Sequence, residues 1–122
     1  MKISLIDDDV VVHFIFNTTI RLYDSTIQTD CYIDSTTALE QIRTRKFESD
    51  LILLDIQMPR LNGWQFLVEY EKTELQIPIY LLSSSNNPLD IEHSKKFSSV
   101  NGYFIKPLEM AHLDEMLQKL MK

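Results

Sequence analysis

Glycine occurs only twice and cysteine only once in 122 residues. Neither Gly63 nor Gly102 lies in a GxGxxG or Walker-type loop, so a dinucleotide or P-loop nucleotide site lacks its sequence basis. Cys31 can form no internal disulfide and has no CxxC partner, which fits a reducing cytoplasm and a packing role in a strand. Long apolar runs are missing as well: nothing approaches the roughly 20 residues of a membrane span. Asp7, Asp8 and Asp9 interrupt the N-terminus too early for a secretory apolar region. Basic residues are outnumbered 12 to 18, and the net charge of -6 disfavours a broad phosphate-binding face. Export, membrane insertion and direct nucleic-acid binding are therefore not expected, and a cytoplasmic location is.

What remains is average for a soluble globular protein, with 44% hydrophobic and 25% charged residues. Residues 1–122 are expected to form one domain without an output module, since a second folded unit does not fit. The organising stretch is LILLDIQMPRLNG, Leu51 to Gly63. Its apolar run is too short for a surface helix and too uninterrupted for a half-exposed strand, and so predicts a strand buried on both faces of a parallel sheet. Asp55 stands where that strand emerges. Taken alone, this acid either caps the next turn or is placed for chemistry at the carboxyl end of a strand.

Four more strand-and-helix pairs surround it. KISLI predicts a strand, and apolar positions 12, 15, 16 and 20 predict a helix to about Tyr23. A second strand is expected from about Ile27 to Ile33, with Cys31 and Ile33 at period two. Asp34 and Ser35 offer an N-cap to a helix with Ala38, Leu39, Ile42 and Phe47. Asn62-Gly63 opens a third helix with Phe66, Leu67 and Tyr70 on one face. IYLL follows Pro78 as a fourth strand, and Asn87-Pro88 starts a helix carrying Ile91 and Phe97. Gly102 introduces a last strand, YFI, before a helix packing Leu113, Met116, Leu117 and Leu120. The alternation predicts a parallel α/β sheet covered on both faces, with right-handed crossovers.

In such a sheet Asp7, Asp8, Asp55, Ser83 and Lys106 all emerge on one edge. Carboxylates that close repel one another and call for a cation. Oxygen-only ligands with room for water suit Mg²⁺. Lys106 can bind a carboxylate or phosphoryl oxygen, and the Ser83 hydroxyl can donate to one. Three carboxylates, one ammonium and one divalent cation sum to about zero, leaving a site able to take the charge of a phosphoryl group. The favoured chemistry is phosphoryl transfer to Asp55 as nucleophile.

The motifs LIDDD (5 to 9), LLDIQMPRLNG (53 to 63), IPIYLLSSS (77 to 85) and GYFIKPL (102 to 108), in order at strand ends, resemble the response-regulator receiver domains of two-component signalling. The resemblance covers essentially the whole chain. It implies a flavodoxin-like (βα)5 sandwich with strand order 2-1-3-4-5. Asp55 matches the phosphoacceptor, and Asp7 and Asp8 the acidic pair that, with Asp55 and the Gln57 backbone carbonyl, holds Mg²⁺. Ser83 and Lys106 match the phosphoryl-contacting hydroxyl and the lysine. Tyr103 matches the aromatic coupled to Ser83, and Pro107 a proline usually joined in cis. Gln57 and Ser85 occupy positions that tune the acyl-phosphate lifetime.

The implied function is that of a stand-alone response regulator, a signalling domain rather than a turnover enzyme. The partners it implies are a sensor histidine kinase or histidine phosphotransfer protein as donor and an effector protein as target, with the chain a monomer or weak homodimer. The output is expected on the surface of the fourth helix, fifth strand and fifth helix. The alternative is a pseudo-receiver that only binds proteins. A dehalogenase-type DxD would need an acid where Gln57 stands, and a flavin module a phosphate-cradling loop where Asp7, Asp8 and Asp9 stand. His13, His93 and His112 are not spaced as ligands and are expected on exposed helix faces. Trp64 is expected to pack near the site and to report on it. Val11 and Phe14, opposite the buried face of the first helix, are expected to receive the donor's helix.

Overall fold

Buried apolar runs set the sheet. The computed structural model describes residues 1–120, and within them five strands alternate with five helices. These are β1 (Lys2–Ile6), α1 (Val10–Tyr23), β2 (Gln28–Tyr32), α2 (Ser35–Arg43), β3 (Leu51–Leu54), α3 (Gly63–Tyr70), β4 (Ile79–Ser83), α4 (Pro88–Ser94), β5 (Val100–Ile105) and α5 (Met110–Leu120). All strand pairs are parallel, in the order β2-β1-β3-β4-β5. Every residue of β3 and β4 is buried, as central strands covered on both faces require.

Alternate strand residues feed two cores. Ile6, Ile52, Leu54 and Leu81 pack with Ala38 of α2 and Phe66 of α3. Leu5, Leu53 and Leu82 pack with Phe16 of α1 and Met116 of α5 on the opposite face. The sheet is thus the middle of three layers, and its carboxyl edge is where each strand hands the chain to a helix.

Local chemistry fixes where the helices start. The carboxylates of Asp9 and Asp34 cap α1 and α2 by accepting from Val11 N and Thr37 N. Asn62 and Gln65 form a reciprocal capping box on α3, and Asn87 caps α4 with Pro88 in its first turn. Gly63 is required by a close approach. A Cβ there would lie 2.5 Å from the Asp55 carbonyl oxygen and 2.8 Å from Ile56 Cα.

The structure departs from the sequence reading at five places. Helix α2 ends at Arg43, so Phe47 packs into the core from the segment beyond it. Strand β2 ends at Tyr32, and Ile33 is 60% exposed in the turn beyond it. The pair that alternates is Cys31 towards α1 and Tyr32 towards α2, because an edge strand is covered only along part of its length. Helix α4 stops at Ser94, so Phe97 packs from the following turn. Gly102 lies inside β5, just past a register shift, where the Tyr80 ring leaves 2.9 Å for a Cβ. His13 and His112 are half-buried rather than exposed.

Candidate functional site

The carboxyl edge of the sheet gathers the polar residues that the apolar strands deliver. Asp7 follows β1 and is fully buried, Asp55 follows β3 and is 4% exposed, and Asp8 is exposed beside them. One carboxylate oxygen from each of the three lies within 4.8 Å of the others. Lys106, following β5, places Nζ 2.8 Å from Asp7 Oδ2 and 3.5 Å from Asp55 Oδ1. Its main chain is tied to β4 by Lys106 N donating to Ser83 O at 2.8 Å. The peptide joining Lys106 to Pro107 is cis.

Crowding shows in the protonation equilibria. Burial, and then the charge of Asp7, push the Asp55 carboxyl up from 3.8 to about 6, with Lys106 and the amides of Gln57 and Ile56 offsetting part of the rise. For Lys106, burial alone would lower the ammonium pKa, but contact with Asp7 and the charges of Asp55 and Asp7 outweigh it and raise it. One acceptor depends on an ion pair: Asp7 Oδ2 is buried, and the Lys106 ammonium 2.8 Å away is its partner among the described residues. Three clustered carboxylates with such an oxygen fit a hard divalent cation held by oxygen. Gln57 is exposed two residues past Asp55, in the turn leading to the Asn62 cap.

Beside this cluster, Ser83 is buried at the end of β4. Its hydroxyl accepts from Ser85 N at 3.1 Å, while the Tyr103 hydroxyl donates to Ser85 O at 2.8 Å. Ser85 in turn donates from Oγ to Asp90 Oδ2 of α4 at 2.6 Å. One residue of the β4–α4 turn is therefore gripped by Ser83, Tyr103 and α4 together. Trp64 begins α3 and packs against α4 and the turn after it, its ring centroid 4.3 Å from that of His93 and 6.0 Å from that of Phe97. Val11 and Phe14 are exposed on α1, at 60% and 69%.

The sequence-derived residues Asp7, Asp8, Asp55, Lys106 and Ser83 thus lie on one edge, and Tyr103 reaches the loop next to it. Sequence reasoning missed the Ser85–Asp90 link and a hydrogen bond from the His13 ring to the Asp7 carbonyl. Asp90 lies in the first turn of α4, three residues past its Asn87 cap. The signal for its partner was the hydroxyl run before the cap, since serine and aspartate favour such local bonds.

Comparison with known proteins agrees with this geometry. The family model for the response regulator receiver domain matches residues 3–118. The two-component response regulator ARR10 of Arabidopsis thaliana is 27% identical over all of this chain, which spans 21% of that protein. The probable C4-dicarboxylate response regulator DctR of Halalkalibacterium halodurans is 25% identical, again over all of this chain, which spans 55% of its length. A crystal structure of a two-component response regulator from Cytophaga hutchinsonii superposes with a TM-score of 0.86 at 27% identity, covering 98% of this chain and 96% of that one. Among the described residues no helix is long and apolar enough to cross a membrane. Matched along almost its whole length, and folded in the strand order its motifs imply, the chain belongs to the response regulator receiver domain family.

Proposed function

We propose that this domain accepts a phosphoryl group on Asp55 from a phosphohistidine of a sensor histidine kinase or phosphotransfer protein, in a Mg²⁺-dependent reaction in the cytoplasm. The observation that carries the reading is the convergence of Asp7, Asp8 and Asp55 within 4.8 Å, with Lys106 against two of them. Asp7, Asp8, Asp55 and the backbone carbonyl of Gln57 would hold the cation, which when bound supplies charge neutralisation for the phosphoryl oxygens.

The ionised Asp55 oxygen forms the new bond to phosphorus as the donor's N–P bond breaks, and the imidazole leaves with the bonding pair. Lys106 is positioned to hold one phosphoryl oxygen by charge. Ser83 donates its hydroxyl proton to another. In doing so it turns away from Ser85 N, the amide it now accepts from at 3.1 Å.

That exchange links chemistry to output. Ser85 is also held by Tyr103 and by Asp90 of α4, so recruiting Ser83 alters the turn that seats α4. The surface of α4, β5 and α5 then presents a different face to an effector protein or to a second copy of the chain. The phosphoryl group biases this equilibrium only by the contacts it makes in one state and not the other. Shifting 1:99 to 99:1 takes about 5.5 kcal/mol of such difference.

The test is to incubate the protein with Mg²⁺ and acetyl phosphate and measure the intact mass. One phosphoryl adduct that is absent in Asp55→Asn supports the reading. No adduct, from either a small donor or a cognate kinase, shows instead a pseudo-receiver that works by protein binding alone. For the donor interface, Phe14→Glu should slow transfer from a protein donor and leave acetyl phosphate unaffected; equal slowing of both contradicts docking on α1.

A further inference from the structure

The junction between β1 and α1 holds a polar group that regular secondary structure leaves out. The Asp9 carboxylate accepts from Val11 N at 2.9 Å, taking the amide that would otherwise reach back four residues to Asp7. The ladder of α1 begins two residues later, with His13 N donating to Asp9 O at 3.2 Å. No backbone amide among the described residues donates to the Asp7 carbonyl. The His13 ring does: Nε2 lies 2.6 Å from that oxygen. A carbonyl only accepts, so this nitrogen carries the hydrogen.

We propose that His13 is a positioning residue for the acidic cluster, fixing how Asp7 and Asp8 present their carboxylates to a divalent cation. The Asp7 carbonyl belongs to the planar peptide that joins Asp7 to Asp8. An uncompensated change in ψ of Asp7 or φ of Asp8, the two torsions that flank this plane, turns the Asp8 side chain relative to that of Asp7, and a held carbonyl restricts both torsions. Other contacts hold Asp7 but not this plane: its N donates to Tyr32 O at 3.0 Å, Oδ1 accepts from Asp9 N at 2.9 Å, and Oδ2 faces Lys106. His13 reaches the plane from α1, a helix anchored in the core by Phe16 and Ile20, so the orientation of the two acids is tied to a rigid element. Half-burial of the ring keeps water from competing freely for the carbonyl.

The inference rests on the proposed Mg²⁺ site, and the experiment separates the two. Mg²⁺ binding is measured by isothermal titration calorimetry on the wild type, His13→Phe and His13→Gln, with thermal unfolding recorded for each. Phenylalanine keeps a planar ring without the donor, whereas the glutamine amide can reach the same oxygen. Loss of an outer partner of a metal ligand typically weakens binding 10- to 100-fold, so His13→Phe should bind Mg²⁺ about tenfold more weakly and His13→Gln within about twofold of wild type. Ile20→Val, at the far end of α1, should lower the unfolding midpoint without changing Mg²⁺ affinity.

Equal affinity in the wild type and His13→Phe overturns the positioning role while leaving the cation site standing, as does a His13→Gln variant as weak as His13→Phe. A wild type that binds no Mg²⁺ overturns both. Should His13→Phe fail to fold, nitrogen-15 NMR of the wild-type ring decides: a hydrogen on Nε2 supports the bond to Asp7, and a ring with its only hydrogen on Nδ1 overturns it.

Discussion

The two edges of the sheet treat charge in opposite ways. At the amino edge, the Glu71 carboxylate at the end of α3 accepts from Ser99 N at 2.8 Å and from Ser99 Oγ at 2.6 Å. The Tyr70 hydroxyl both accepts from Ile77 N and donates to Ile77 O, closing the turn before β4. Polar groups there are used up in holding loops. At the carboxyl edge, Asp7, Asp8 and Asp55 crowd together, Asp55 is pushed up to about 6, and the buried Asp7 Oδ2 depends on the Lys106 ammonium at 2.8 Å. The larger cleft, about 540 Å³, lies at the amino edge beside Glu71 and Ser99. The larger volume and the crowded charge therefore lie at opposite edges, and the proposed function follows the charge.

The contrast can be broken most severely at the contact that builds the carboxyl edge. Gly63→Ala would place a methyl group 2.5 Å from the Asp55 carbonyl oxygen. Forcing the two backbones apart should cost about 2 to 3 kcal/mol in urea unfolding and should impair phosphorylation of Asp55 as well. An alanine variant of unchanged stability would show that the approach is not tight.

Next in size is a change of sign between the edges. Asp55 in the folded chain takes up its proton near 6, against 3.8 ordinarily, so without metal its ionisation penalises the fold. That penalty grows as pH rises from about 4 to 6 and is fully present above. Asp55→Asn, with Lys106 still paired to Asp7, should therefore raise stability by about 1 to 2 kcal/mol at pH 7. The gain should vanish below about pH 4. A destabilised asparagine variant at pH 7 would mean that the ion pair with Lys106 outweighs desolvation.

Glu71→Gln at the amino edge should go the other way, losing about 1 kcal/mol, because an exposed carboxylate accepting several donors is exchanged for a weaker acceptor. Its phosphorylation should be unchanged. The smallest effect expected is on Asn62→Ala, which removes the α3 capping box and should cost about 1 kcal/mol or less, read as a lower thermal midpoint.

How much of this could be read from the residues alone differs between elements for physical reasons. Strands β3 and β4 were legible because double-sided burial leaves an unbroken apolar run, β1 because only Ser4 interrupts its apolar residues, and the acids directly after β1 and β3 marked the site edge. The caps Asp34, Asn62 and Asn87 were legible because short polar side chains before an apolar period have one dominant use. The limits of β2 were not. An edge strand with Gln28, Thr29 and Asp30 has little pattern, and Ile33 is apolar yet 60% exposed. Gly102 read as the residue that introduces the last strand, but it sits inside β5, where the Tyr80 ring leaves 2.9 Å for a Cβ.

The histidines were harder still. His13 binds a carbonyl that belongs to no regular ladder, and His112 stacks on Phe104 at 4.4 Å while its Nδ1 accepts from Glu109 N. Neither pairing leaves a side-chain spacing to detect.

The most direct test of the account follows the Asp55 carboxyl itself. Carbon-13 NMR of aspartate-labelled protein, titrated with and without Mg²⁺, should give Asp55 a midpoint near 6 in the absence of metal. Mg²⁺ should lower that midpoint, since a bound cation competes with the proton for the carboxylate. A midpoint near the ordinary 3.8, unmoved by Mg²⁺, would contradict the claim that this edge holds its charges in wait for a cation and a phosphoryl group.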